Sequence, residues 1–202
     1  RLWFVDRFEG SSIQYNLPLA MRVDGALDVD ALQGALDAVV GRHEVLRTVY
    51  MEGEGGAYQV VQEDARAPIR HVDLSSLPDA EQQARIAALA REEARRPFDL
   101  KADAMLRATL LRLAPASHVL LFTMHHIASD GWSKGVLVRQ FIEAYEALHA
   151  GRPNPLGRLP VQYADYAHWQ RSDAYVQAMA ADLDYWKAQL ADAPVTHGLP
   201  LD

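Results

Sequence analysis

Hydrophobic and polar positions change period along this chain, and each change marks an element. Residues 18–24 (PLAMRVD) predict a strand. From 29 to 42 the spacing lengthens, so that Leu32, Leu36, Val39 and Val40 share one face. Asp28 stands where a helix needs its N-cap. LRTVYME and AYQVVQE, joined by GEGG, predict a β-hairpin in which Arg47 alternates with Val49 and Met51. IRHVDL (69–74) predicts another strand, and 79–95 a charged amphipathic helix that Pro97 stops. MLRATLLRLA and SHVLLFTMHH predict two strands around a turn containing Pro115. The second is apolar at nearly every position, as a central strand covered on both faces would be. Ser133 is expected to cap a helix running to about 149, with Leu137, Phe141, Tyr145 and Leu148 on its buried stripe. Beyond GRPNPLGRLP lie two more helical patterns, 161–171 and 173–191. The fold class is α/β, read as an α+β two-layer sandwich.

Composition narrows the function. At 202 residues the chain is the size of one compact domain or one large lobe. No stretch approaches the roughly 20 apolar residues that span a bilayer, and RLWFVDRFEG lacks the layout of a signal peptide. A cytoplasmic protein with no membrane partner is expected. With no cysteine, thiolate nucleophiles and cysteine metal sites are excluded. A net charge of −7 argues against nucleic acid as a partner. The closing DAPVTHGLPLD, rich in Pro and Gly, reads as the start of a linker, which divides the chain into 1–191 and 192–202.

The chemistry gathers in MHHIASDGWS (124–133), where the most apolar strand ends on two histidines with Asp130 and Gly131 just beyond. Side chains alternate across a strand, so His126 is expected to share a face with Met124 and Phe122, and His125 with Thr123. Only one of the pair can face a given cavity. One reading is a satisfied strand-end histidine beside an ordinary turn aspartate. A metal site would need at least three converging ligands, and His43, His71 and His118 have no evident reason to join. No metal is expected.

Together with its companions, this stretch resembles a known family. HHIASDGWS matches HHxxxDG, the signature of condensation domains of non-ribosomal peptide synthetases. RLWF resembles the tail of the family's first motif. RHEVLRTVY (42–50) resembles the second, with Tyr50 for the usual Phe, and YADYAHW (163–169) the fourth. PFDL (97–100) and YWKAQL (185–190) sit where the family has similar words. The resemblance covers the whole chain. It implies a chloramphenicol-acetyltransferase-like lobe, the N-terminal half of a V-shaped two-lobed domain whose active site lies at the junction.

The implied reaction is amide bond formation. The α-amine of one aminoacyl thioester attacks an aminoacyl or peptidyl thioester, both carried on the 4'-phosphopantetheine arms of upstream and downstream carrier proteins. No cofactor is expected on the domain itself; its neighbours would be the missing C-terminal lobe and an adenylation domain. By resemblance His126 is the catalytic histidine, acting as general base or as the group that positions the amine. Asp130 is implied to be structural, the partner of a buried Arg47, with Arg42 as the other candidate arginine. The Gly131 backbone lies close to the histidine, where an N–H could assist an oxyanion. Tyr166 and Trp169 are expected to pack first.

Trp132 and Ser133 belong to the continuation DGWSKGVL, which resembles condensation rather than epimerisation domains. Coenzyme A-dependent acyltransferases with HxxxD lack RHEVLRT and YADYAHW. A non-catalytic recognition lobe is a further alternative. Without its partner lobe the chain is expected to be inactive. It is also expected to expose apolar surface on the tunnel-facing side of the strand ending at His126, for a second copy to cover in a C₂ homodimer.

Overall fold

The computed structural model describes residues 2–10, 13–194 and 198. Most of the expected linker 192–202 lies outside them. The chain divides into two compact units, Arg1–Gln162 and Tyr163–Asp202. The first runs α1 (Leu2–Glu9), β1 (Asn16–Asp24), α2 (Val29–Arg42), β2 (Thr48–Gly53), β3 (Gly56–Val61), β4 (Ile69–Asp73), α3 (Asp79–Arg95), β5 (Leu106–Ala114), β6 (Ser117–His125) and α4 (Gly131–His149).

Four strands form the central sheet in the order β1-β6-β5-β4. β6 is antiparallel to both neighbours, and β4 runs parallel to β5, a pairing that needs the crossover α3 supplies. The hairpin β2–β3 is a separate two-stranded sheet. Its short turn is entered and left at the paired Gly53 and Gly56, and Gly56, at φ 97°, holds a conformation that favours glycine.

Alternation along β5 and β6 sends side chains to two different cores. Leu106, Ala108, Leu110, Leu120, Phe122 and Met124 face α2 and α4. Leu111, Leu113 and Leu121 face α3. Helices therefore cover both faces of the sheet. The α/β class stands, and three layers replace the expected two, because the crossover helix must lie on one face while α2 and α4 bury their stripes on the other.

Two local expectations change. Arg47 does not alternate with Val49 in a strand; it ends a 3₁₀ turn, Glu44–Arg47, held where the Leu46 carbonyl accepts the Met105 N–H at 2.8 Å. The N-cap of α4 is Asp130, not Ser133: its backbone is extended (φ −141°, ψ −171°) and its carboxylate accepts the Ser133 N–H at 2.8 Å. By contrast α2 starts as expected, with Asp28 accepting the Ala31 N–H. The stripe of α4 consists of Leu137, Phe141, Ala144 and Ala147, with Tyr145 and Leu148 half-buried.

The second unit holds α5 (Tyr163–Trp169) and α6 (Asp173–Gln189), the latter capped by Ser172. Tyr166 and Trp169 are exposed members of an aromatic run, with ring centroids 5.7 Å apart, that Trp169 continues to Tyr175 at 4.6 Å.

Candidate active site

The two histidines meet opposite fates at the end of β6. His125 is the last residue of the strand and is 1% exposed. His126 lies beyond it, in a turn, and is exposed. Strand alternation therefore does not reach His126, which shares no strand face with Phe122 and Met124. Its backbone N–H donates to the Tyr15 carbonyl at 2.8 Å, which fixes where the turn begins.

His125 organises that turn. Its carbonyl accepts the Ala128 N–H at 3.0 Å, and its Nδ1 accepts the Ile127 N–H at 3.1 Å. An accepting Nδ1 places the proton of the neutral ring on Nε2. The ring packs edge-on to Phe98, centroids 5.7 Å apart, and near Tyr15 at 6.2 Å. Burial foremost, then the charges of His126 and Arg107, push its pKa down to about 4. Protonation would also put a hydrogen on Nδ1, facing the Ile127 N–H. The buried ring is thus a neutral hydrogen-bond acceptor at neutral pH.

Among the described residues Asp130 binds no arginine. Its carboxylate takes both the backbone N–H and the hydroxyl of Ser133, at 2.8 and 2.6 Å. The Ser133 hydroxyl and N–H are the chief causes that hold its pKa below the ordinary carboxylate value, with smaller help from the Trp132 N–H and the His126 charge. Arg47 instead donates to the Gln62 carbonyl at 2.9 Å and lies 3.6 Å from Glu44. Arg42 donates to the Gly157 carbonyl. The expected Asp130 partnership with either arginine is therefore replaced by a helix cap, since the 3₁₀ turn directs Arg47 towards the hairpin.

Gly131 opens α4, so its N–H belongs to the first turn, where no intrahelical acceptor exists. Trp132 beside it is 85% exposed. With Ser133, Ala128, His43 and Leu46 it lines a cleft of about 140 Å³. β6 itself is covered on both faces, so the expected apolar surface does not lie on that strand. Exposed apolar side chains lie instead on α1 (Phe4, Phe8) and along α6 (Val176, Met179, Leu183, Trp186). Among the described residues no three His, Asp or Glu side chains gather as metal ligands, and no helix is long and apolar enough to cross a membrane.

Sequence reasoning passed over the wall behind His125. Arg107 donates to the carbonyls of Glu93, Arg96 and Pro97, at 3.2, 2.7 and 2.8 Å, and lies 3.8 Å over the Phe98 ring. Glu93, 4% exposed, accepts from Thr109 at 3.1 Å and lies 3.7 Å from Arg107. Asn16, paired with His125 in the ladder, donates to the Ala94 and Arg96 carbonyls, both at 2.8 Å. One signal was available: Arg107 alternates with Leu111 and Leu113 inside an apolar strand, and a guanidinium on such a face needs partners.

Sheet, crossover and histidine turn together match the fold and motif of condensation domains, and the comparisons show the family. The Condensation domain family matches residues 1–202, and the chain belongs to that family. Over all 202 residues it is 42% identical to a linear gramicidin synthase of Brevibacillus parabrevis, of which it covers 3%. It is 41% identical over 205 residues, 99% of this chain and 5% of the relative, to chondramide synthase of Chondromyces crocatus. Among solved structures, the X-domain from teicoplanin biosynthesis is 31% identical, with a TM-score of 0.80 over 93% of this chain and 41% of that one. The starter condensation domain of rhizomide synthetase, 22% identical, shares the fold with a TM-score of 0.83 over 96% of this chain and 46% of that one. The chain thus spans a few per cent of its curated relatives and under half of the solved chains.

Proposed function

We propose that this chain is the N-terminal lobe of a condensation domain that forms an amide between two carrier-bound thioesters, with His126 as its catalytic histidine. One observation carries the assignment: of the two histidines, only His126 is exposed, while His125 is buried and neutral beneath it. The acceptor's α-amine attacks the donor thioester carbonyl, a C–N bond forms, and the C–S bond breaks to release the donor arm's thiol. An α-amine with a pKa near 7.7–8.0 is partly neutral at pH 7. Proton removal therefore matters most after attack, when the nitrogen is acidic. His126 positions the amine and accepts that proton, a contribution of about 10²–10⁴-fold. The Gly131 N–H, in the first turn of α4, stands ready for the developing oxyanion. Substrates arrive on the phosphopantetheine arms of upstream and downstream carrier proteins, and the domain holds no cofactor of its own. The setting is cytoplasmic.

A recognition-only lobe is the second reading. It is favoured by the 33% identity to the teicoplanin X-domain, which was solved in complex with OxyB. One experiment separates the two. In a synthetase carrying this chain, His126→Ala should abolish most product formation while circular dichroism stays unchanged. Turnover within a few fold of wild type would remove the catalytic assignment. Carrier binding without product in the wild-type synthetase would favour recognition. The isolated chain should be nearly silent with two loaded carriers, because a loosely held near-attack geometry loses orders of magnitude. It should also pair through the exposed apolar stripe of α6, and a strictly monomeric chain in sedimentation runs over a concentration series would remove that expectation.

A further inference from the structure

The wall behind His125 also faces outward. A cleft of about 310 Å³ opens at the β4 end of the sheet, lined by Arg66, Arg70, Arg96 and Arg107 against Glu93 and Asp103. Four guanidinium groups thus face two carboxylates, in a chain whose net charge is −7. The carboxylates are already engaged. Glu93 accepts from Thr109 and neighbours Arg70 and Arg107, at 3.6 and 3.7 Å. Asp103 accepts the Asp99 N–H at 3.0 Å. Among the described residues neither Arg66 nor Arg96 has a carboxylate partner. Burial foremost, then the Arg96 charge, hold the Arg107 guanidinium below its ordinary pKa, against the opposing pull of Glu93 and Asp103. The backbone contributes as well. β4 begins at Ile69 opposite Ala108, so Leu106 and Arg107 present a strand edge with no partner on that side.

We infer that this cleft is a binding site for a phosphate ester, held by Arg66 and Arg96 and backed by Arg107. A multiply charged anion answers the excess of guanidinium, and planar guanidinium donors match phosphate oxygens in pairs. The volume admits more than a bare phosphate. Arg107 ties the site to the histidine pair, since its guanidinium covers the Phe98 ring that packs on His125. Two sources of such a ligand share this chemistry: a free phosphate ester, or the phosphate of a carrier-borne arm, which rests on the function proposed above.

Titration calorimetry on this chain with inorganic pyrophosphate, coenzyme A and pantetheine tests the inference. Pyrophosphate and coenzyme A should bind, and pantetheine, which lacks phosphate, should not. Arg66→Gln and Arg96→Gln should each weaken binding by about tenfold, as loss of a charge-assisted pair does. Arg91→Gln, on the exposed side of α3, should leave it unchanged. Neither tested arginine holds the fold through its side chain, so the variants remain readable. Coenzyme A binding more tightly than pyrophosphate supports the arm; equal affinities support a free ester. Absence of binding, equal binding of pantetheine, or indifference to both substitutions would overturn the site. None of these outcomes depends on amide synthesis, so the site and the proposed reaction can fail separately.

Discussion

The two faces of one sheet differ more than its strands do. Towards α2 and α4 the side chains of β5 and β6 are apolar along most of their length, at Leu106, Ala108, Leu110, Leu120, Phe122 and Met124, and turn polar at the paired Arg112 and His118. Towards α3 the same strands begin apolar, at Leu111, Leu113 and Leu121, then turn polar at Thr109 and Thr123, and end at Arg107 and His125. One face holds the fold. The other passes from fold to chemistry within a single strand length, so the buried His125 borrows its rigidity from a core that is only half hydrocarbon. His118, the buried histidine of the first face, has no hydrogen-bond partner at Nδ1 among the described residues, so it performs no such acceptor duty.

Adjacent leucines on β6 offer the strongest test, because they differ only in the face they serve. Leu120 is fully buried in the larger core, and Leu121, 4% exposed, sits in the smaller one. Leu120→Ala should cost about 4–5 kcal/mol, near the upper end for such truncations, because a close-packed surround collapses poorly into the cavity. Leu121→Ala should cost about 2–3 kcal/mol, since the smaller cluster has more freedom to relax. Urea unfolding monitored by circular dichroism measures both. Equal losses would erase the distinction between the faces.

The second test uses pH. A folded pKa of about 4 for His125 lies below the ordinary 6.5, so the unfolded chain binds its proton more readily. The neutral ring's contribution is therefore complete above about pH 6.5 and is lost as pH falls from there towards 4. Thermal unfolding over that window should show a declining melting temperature, and His125→Asn should flatten the decline. A wild-type curve as flat as the variant's would mean that the ring is not held neutral by its surroundings.

How far the sequence foretold this follows from the range of the forces involved. Local signals were legible: Asp28 before α2, the glycines of the hairpin, the all-apolar run of β6. So was the motif that singled out His126. Layer count was not, because α3 covers a face that its own charged pattern, with Glu93 on the inside, disguises as solvent-exposed. Nor was the setting of Arg47. Its apparent strand alternation is broken by a bond from the distant Met105 to the Leu46 carbonyl, a long-range tie that no local period records. The buried wall of Asn16, Phe98 and Arg107 is likewise assembled from three separated segments.

The smallest expected effect concerns the start of α4, on the more apolar side of the sheet. Asp130 and Ser133 are both good cap residues three positions apart, and sequence alone favoured Ser133. Geometry decides for Asp130, whose backbone is extended and whose carboxylate accepts from the Ser133 N–H and hydroxyl. If capping is its whole structural role, Asp130→Ala should lower the melting temperature by only a few degrees. Asp130→Asn, which keeps a capping oxygen, should restore most of that. The lowered pKa of Asp130 means that the cap's charge-dependent share is present above the ordinary carboxylate pKa and is lost as pH falls through the folded value, a range below the His125 window. Collapse of soluble protein on Asp130→Ala would instead show that the carboxylate does more for the fold than cap α4.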